Sequence, residues 1–204
     1  MDKYANFLEL KSTEQEGRDF FVVIREKPGS TTVVIAPHGG GIEPGTSEIA
    51  ERIASEDLSL ALFKGIKSKH NSDLHITSTN FDEPRCLALV QSAKNVVAIH
   101  GEERNRSVVY IGGADDGLGA FIRTSLETHG FQVDKHDNPG LQGTLISNIC
   151  NRGIKGRGVQ LELARSLRET FFYSLKAEGR QKPTEKLYEF INAVREGLHN
   201  AGAL

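Results

Sequence analysis

Short apolar runs rich in β-branched residues recur along the chain, at residues 20–24, 32–36, 58–63, 75–79, 96–100, 108–111, 131–134 and 159–163. Several, Thr32-Val-Val-Ile-Ala36 among them, are apolar at successive positions, as expected of strands covered on both faces. Helical spacing lies between many of these runs. Thr46 or Ser47 can cap a helix that turns Ile49, Ala50, Ile53 and Ala54 inward, and Pro84 suits the first turn of one carrying Leu87 and Val90. A third helix starts near Asp115-Asp116, buries Phe121, Ile122 and Leu126, and stops at Gly130. A fourth starts at Pro183-Thr184-Glu185 and puts Leu187, Phe190, Ile191, Val194 and Leu198 on one face. This alternation predicts an α/β fold, a single open mixed or parallel sheet with helices on both faces. No repeat or Pro/Ser-rich linker interrupts it, so residues 1–204 read as one domain.

Composition narrows the partners. The 204 residues are 38% hydrophobic and 25% charged, which suits a buried core and excludes disorder. Lys and Arg number 25 against 27 Asp and Glu, so no overall basic field draws in nucleic acid or an anionic membrane, and neither is expected as a partner. The apolar runs are strand-sized, far below the roughly 20 residues of a membrane span. The N-terminus lacks a signal-peptide pattern, which places synthesis in the cytoplasm without Sec-type export. Cys86 and Cys150 sit among apolar residues without C-x-x-C spacing and read as small buried hydrophobes.

In open α/β sheets, ligands bind beyond the carboxyl ends of strands, and three strand exits carry chemistry. Pro37-His38-Gly-Gly-Gly-Ile-Glu43 delivers a histidine into a glycine-rich turn that can fold a carboxylate back beside it. His100 ends a buried strand and is followed by Gly, and Glu162 sits with Gln160 on one face of another. Two neutral imidazoles and a carboxylate, with a fourth position left to water, suit one hydrolytic zinc ion. A further carboxylate within reach of that water serves as general base. His38, Glu43 and His100 fill the ligand roles and Glu162 the catalytic one. Two other assignments stay open: Glu162 paired with Arg157 or Arg165, and Glu102 or Glu103 replacing Glu43, although those two read first as a solvated loop with Arg104 and Arg106.

His75 reads first as a satisfied core histidine and second as a substrate contact, with a spare-ligand role also open. His70, His129, His136 and His199 fall in loops or at helix ends and are expected on the surface. Arg85, Arg152 and Arg157 can each overhang the cleft and are candidate contacts for substrate carboxylates, which arginine binds bidentately.

The segments Lys11-Ser-Thr-Glu-Gln-Glu-Gly-Arg-Asp-Phe20, Ala36-Pro-His-Gly-Gly-Gly-Ile-Glu-Pro-Gly-Thr-Ser-Glu48, His75-Ile-Thr-Ser-Thr-Asn-Phe-Asp-Glu-Pro84, Ala98-Ile-His-Gly101 and Val159-Gln-Leu-Glu-Leu163 closely resemble the poly-γ-glutamate hydrolases of Bacillus bacteriophages and their prophage relatives. The resemblance runs from about residue 11 to about residue 165. It implies a zinc carboxypeptidase-like α/β fold and internal cleavage of the γ-amide bonds of a capsular polymer. It also implies one zinc ion on His38, Glu43 and His100, Glu162 as acid/base, and action outside the cell after lysis; a monomer is expected. One departure is that metallocarboxypeptidases use His-x-x-Glu where this chain has His-x4-Glu.

Three other readings compete. His38-Gly-Gly-Gly41 is shared with the oxyanion loop of α/β-hydrolase esterases, but no Gly-x-Ser-x-Gly elbow exists in the chain. A non-catalytic module binding an anionic polymer or nucleotide through Gly-rich turns lacks a matching phosphate-loop pattern. A zinc amidohydrolase of small N-acyl glutamates, on a related α/β scaffold, is separated from the polymer hydrolase only by a substrate panel.

Overall fold

Among the described residues seven strands, β1 (Phe20–Arg25), β2 (Thr32–Gly40), β3 (Ser59–Gly65), β4 (Asn95–Glu102), β5 (Val109–Gly113), β6 (Val133–Asp134) and β7 (Val159–Ala164), form one sheet in the order β1-β3-β2-β4-β7-β5-β6. The computed structural model describes residues 2–204. Strands β3, β2, β4 and β7 run parallel, while β1 and β5 pair antiparallel at their inner edges, so the sheet is mixed. Helices α1 (Phe7–Thr13), α2 (Thr46–Ala54), α3 (Pro84–Ser92), α4 (Asp116–Thr128), α5 (Arg165–Phe171), α6 (Ala177–Arg180) and α7 (Glu185–Asn200) complete the chain.

Strand alternation builds two cores. Val34 and Ala36 of β2 join Ile49 and Ile53 of α2, Ile122 and Leu126 of α4, and Phe190 and Val194 of α7. Val33 and Ile35 point the other way, to Phe7 and Leu10 of α1 and Leu89 and Val90 of α3. Helices therefore cover both faces, as the apolar runs require. Both cysteines are buried and free.

Three local expectations are corrected. Residues 75–79 form no strand. Only Ile76 among them is buried, and the backbone bonds elsewhere: Thr77 N to Asp2, Ile149 N to the Ser78 carbonyl. Phe121 is 47% exposed, because the α4 face toward the sheet carries Leu118, Ile122 and Leu126, and one residue is a 100° step round the helix. Neither Thr46 nor Ser47 caps α2; Gly45 does, in the left-handed region at φ 101°. The two hydroxyls brace the preceding loop instead, Thr46 Oγ1 donating to the Glu43 carbonyl at 2.8 Å and Ser47 Oγ accepting from Gly40 N at 3.0 Å.

One irregularity positions the site. Ala36 of β2 pairs with Leu62 and Gly39 with Lys64, three residues advancing against two. Pro37, which has no N–H to give a ladder, sits inside this bulge. An extra residue reverses side-chain alternation, so His38 does not follow Val34 and Ala36 but faces the opposite side, against Ile76 and Phe81. The pairing of β2 with β4 runs from Thr32↔Asn95 to Ile35↔Ala98. Since β3 lies on one side of β2 and β4 on the other, His38 and His100 emerge at the topological switch point, where open α/β sheets hold ligands.

Candidate metal centre

His38 Nε2 lies 2.8 Å from the Ile76 carbonyl, which can only accept, so that nitrogen carries the proton and Nδ1 presents a lone pair. Nδ1 is 3.0 Å from Glu43 Oε1 and 3.2 Å from His100 Nδ1. Glu43 reaches this point because its N–H bonds back to the His38 carbonyl at 2.8 Å, closing the glycine-rich turn. Its other oxygen accepts from Gly101 N at 2.8 Å and lies 3.6 Å from His100 Nδ1. Burial opposes ionisation of Glu43, yet the two imidazoles facing it hold its carboxyl well below the usual carboxylate range.

His100 Nε2 is buried without a hydrogen-bond partner. Burial disfavours charge on His100, but Glu162 and Glu43 beside it raise its pKa. Glu162 is its register partner on β7 and is 5% exposed. Glu162 Oε1 accepts from Gln160 Nε2 at 2.8 Å, and Gln160 Oε1 accepts from Asn148 Nδ2 at 3.0 Å, a buried chain of amides behind the carboxyl. Burial is the main cause that pushes the Glu162 carboxyl up to about 7; Glu43 and Glu102 add to it and His100 opposes.

His38 Nδ1, His100 Nδ1 and the Glu43 carboxylate converge within 3.6 Å, and a lone pair from each would suit a cation. Two nitrogens at 2.0–2.1 Å from a tetrahedral zinc are about 3.3 Å apart, and the two Nδ1 atoms lie 3.2 Å apart. The residues therefore fit a small divalent ion with nitrogen and oxygen ligands.

His75 joins them. Its ring stacks on His38 with centroids 4.0 Å apart, and its Nε2 is 3.9 Å from Glu43 Oε1. The ligand atoms of His38, Glu43 and His75 all lie within 4.8 Å of one another. Its side chain is 33% exposed, so it is a cleft residue and not a core histidine. Burial and the neighbouring His38 lower its pKa. The sequence signal available was the company it keeps, a polar Thr-Ser-Thr run that cannot pack into a core.

These groups floor a cleft of about 540 Å³, walled by Thr77, Ser78 and Thr79 on one side and Asn138, Leu141 and Asn148 on the other. Arg85, Arg152 and Arg157 do not line it. Arg85 is held by Glu16 and Glu83, Arg152 Nη1 donates to the Phe81 carbonyl, and Arg157 sits 3.6 Å from Asp115. Each guanidinium is taken by a nearer acceptor. Glu162 pairs with neither Arg157 nor Arg165, the latter bridging Glu103 and Glu169. Glu102 is not solvated but buried, bonded to Arg104, and His136 behind it is 2% exposed, against its expected place on the surface. Arg168, fully buried, ties the strand exits together through the carbonyls of Leu163, Pro44 and Glu102.

A family model described as poly-gamma-glutamate hydrolase matches residues 4–193. The chain is 38% identical over 204 residues to the UPF0714 protein YndL of Bacillus subtilis (strain 168), covering 98% of this chain and 79% of that protein. It is 36% identical over 200 residues to the SPbeta prophage-derived UPF0714 protein YoqZ of the same strain, covering 97% of this chain and 72% of that one. A bacteriophage poly-gamma-glutamate hydrolase structure superposes with a TM-score of 0.93 at 29% identity, and a zinc-free apo form of YndL with 0.90 at 38%, each covering 98% of both chains. N-formylglutamate amidohydrolase from Ralstonia eutropha JMP134, 12% identical with a TM-score of 0.51 over 90% of this chain and 97% of that one, shares the fold alone.

Proposed function

This chain belongs to the poly-gamma-glutamate hydrolase family, and on that premise we propose that it is a zinc-dependent enzyme cleaving γ-glutamyl amide bonds inside poly-γ-glutamate. The observation that carries the zinc is the convergence of His38 Nδ1, His100 Nδ1 and the Glu43 carboxylate within 3.6 Å of one another. His38, Glu43 and His100 would hold the ion. Bound there, zinc supplies a Lewis acid for the amide carbonyl.

The rest falls to the chain's own groups. Glu162, with Oε1 fixed by Gln160, keeps its remaining oxygen for the cleft, takes a proton from the attacking water and passes it to the leaving amine. A carboxyl held near neutrality suits both halves of that transfer. Gly101 N pins Glu43, so the ligand is oriented before substrate arrives. With no arginine in the lining, the α-carboxylates of the polymer meet hydroxyls and amides at Thr77, Ser78, Thr79, Asn138 and Asn148. The likeness to a bacteriophage hydrolase and to a prophage-derived relative supports a phage-type, capsule-degrading role after lysis.

Gel filtration of poly-γ-glutamate incubated with the protein tests this. Rapid loss of polymer size, abolished by a chelator and restored by zinc, is expected. An intact polymer alongside formate release from N-formylglutamate would replace this reading with the small-substrate amidohydrolase.

A further inference from the structure

Asp2 and His75 are 73 residues apart in sequence and meet at the mouth of the cleft. Asp2 Oδ1 is 2.8 Å from His75 Nδ1, while Oδ2 accepts from both the N–H and the hydroxyl of Thr77 at 2.6 Å. Thr77 spends its hydroxyl proton and its N–H on the same carboxylate, so Asp2 is an acceptor on every side and stays ionised. An acceptor at Nδ1 fixes the proton there and leaves His75 Nε2 as a lone pair. That lone pair lies 3.9 Å from Glu43 Oε1, acceptor facing acceptor, and His75 lines the cleft. Glu162 lines the same cleft, with its Oε1 taken by Gln160.

A water between these groups has two O–H bonds and needs two acceptors to be held in one orientation. We propose that His75 is a further catalytic residue, accepting one hydrogen bond from the attacking water while Glu162 takes the other proton, and that Asp2 is its positioning residue. The inference rests on the hydrolase reading above and adds residues to it. The proton on Glu162 goes to the leaving amine; the one facing His75 stays on the oxygen and is carried into the new carboxyl group.

The test uses zinc-loaded full-length protein and a γ-linked glutamate oligomer. His75→Ala should keep one zinc per chain and an unchanged KM, and lose about 10- to 100-fold in kcat, the effect of one hydrogen bond that orients a reactant. Asp2→Asn keeps the ring and an acceptor for Thr77 but offers N–H to Nδ1. It should move the imidazole proton to Nε2, visible in the ¹⁵N shifts of His75 at pH 8, and cost about tenfold in kcat.

Zinc lost from His75→Ala would make His75 a ligand and overturn the proposal. So would a raised KM with normal kcat, the mark of a substrate contact, or a wild-type His75 found with its proton on Nε2. Wild-type protein that binds zinc yet cleaves no γ-amide would sink the hydrolase reading itself, whereas an active wild type with an unimpaired His75→Ala sinks the dyad alone.

Discussion

Glu162 shows how much one residue's surroundings decide. A carboxyl among Gln160, His100 and Leu161 of a fully buried strand has no salt-bridge partner, and burial raises it to about 7, the range the proposed acid and base roles need. Glu162→Gln preserves the shape and loses the proton carrier, so hydrolysis should fall about 10²–10⁴-fold while the zinc content of the purified variant stays at one. His38→Ala should lose zinc and activity together, read by metal analysis beside the polymer assay. Gly101 is a second constraint: a Cβ there would stand 2.7 Å from Arg168 Cζ. Gly101→Ala should cost about 1–3 kcal/mol in urea unfolding and displace the N–H that pins Glu43. His38 and His100 were legible because each follows an apolar run and precedes glycine. The place of His75 was not, since its ring is held by Asp2, and nothing in local spacing joins residues 2 and 75.

At the scale of elements, the packing of α7 was written in its spacing: Leu187, Phe190, Ile191, Val194 and Leu198 are all buried. What spacing did not show is how close α7 comes to α4. A Cβ on Gly197 would stand 2.7 Å from Ile122 Cα, which is backbone and cannot swing aside. Alanine favours a helix over glycine by about 1 kcal/mol. Gly197→Ala should nonetheless destabilise by about 1–3 kcal/mol in urea titration, because overpacking exceeds that gain, while activity per folded molecule is unchanged. The bulge at Pro37 was equally hidden. Simple alternation puts His38 with Val34 and Ala36, and only the pairing to β3 reveals the extra residue that turns it into the cleft. The run at 75–79 failed as a strand for a related reason, its backbone being satisfied by side chains and loops that sequence spacing cannot bring near.

For the whole molecule, the order of apolar runs and helical stretches was enough for an α/β sheet covered on both faces, and the three strand exits singled out do converge on one cleft. The three arginines lie outside the cleft lining because an arginine's partner is chosen in three dimensions: Arg85 is captured by Glu16, 69 residues away. Global stability carries the imprint of the site. In chelated protein the Glu162 carboxyl, near 7 when folded against 4.5 as its ordinary value, favours the folded state below pH 4.5 and loses that contribution as pH rises toward 7. The stability of wild type relative to Glu162→Gln should therefore decline across that window, by at most about 1.4 kcal/mol per pH unit, in denaturant titrations at each pH. The site itself is tested most directly by anomalous diffraction at the zinc edge on crystals of zinc-loaded protein. One peak is expected within about 2.0–2.2 Å of His38 Nδ1, His100 Nδ1 and a Glu43 oxygen. Zinc bound elsewhere on the chain, with those three side chains turned away from one another, would contradict the account.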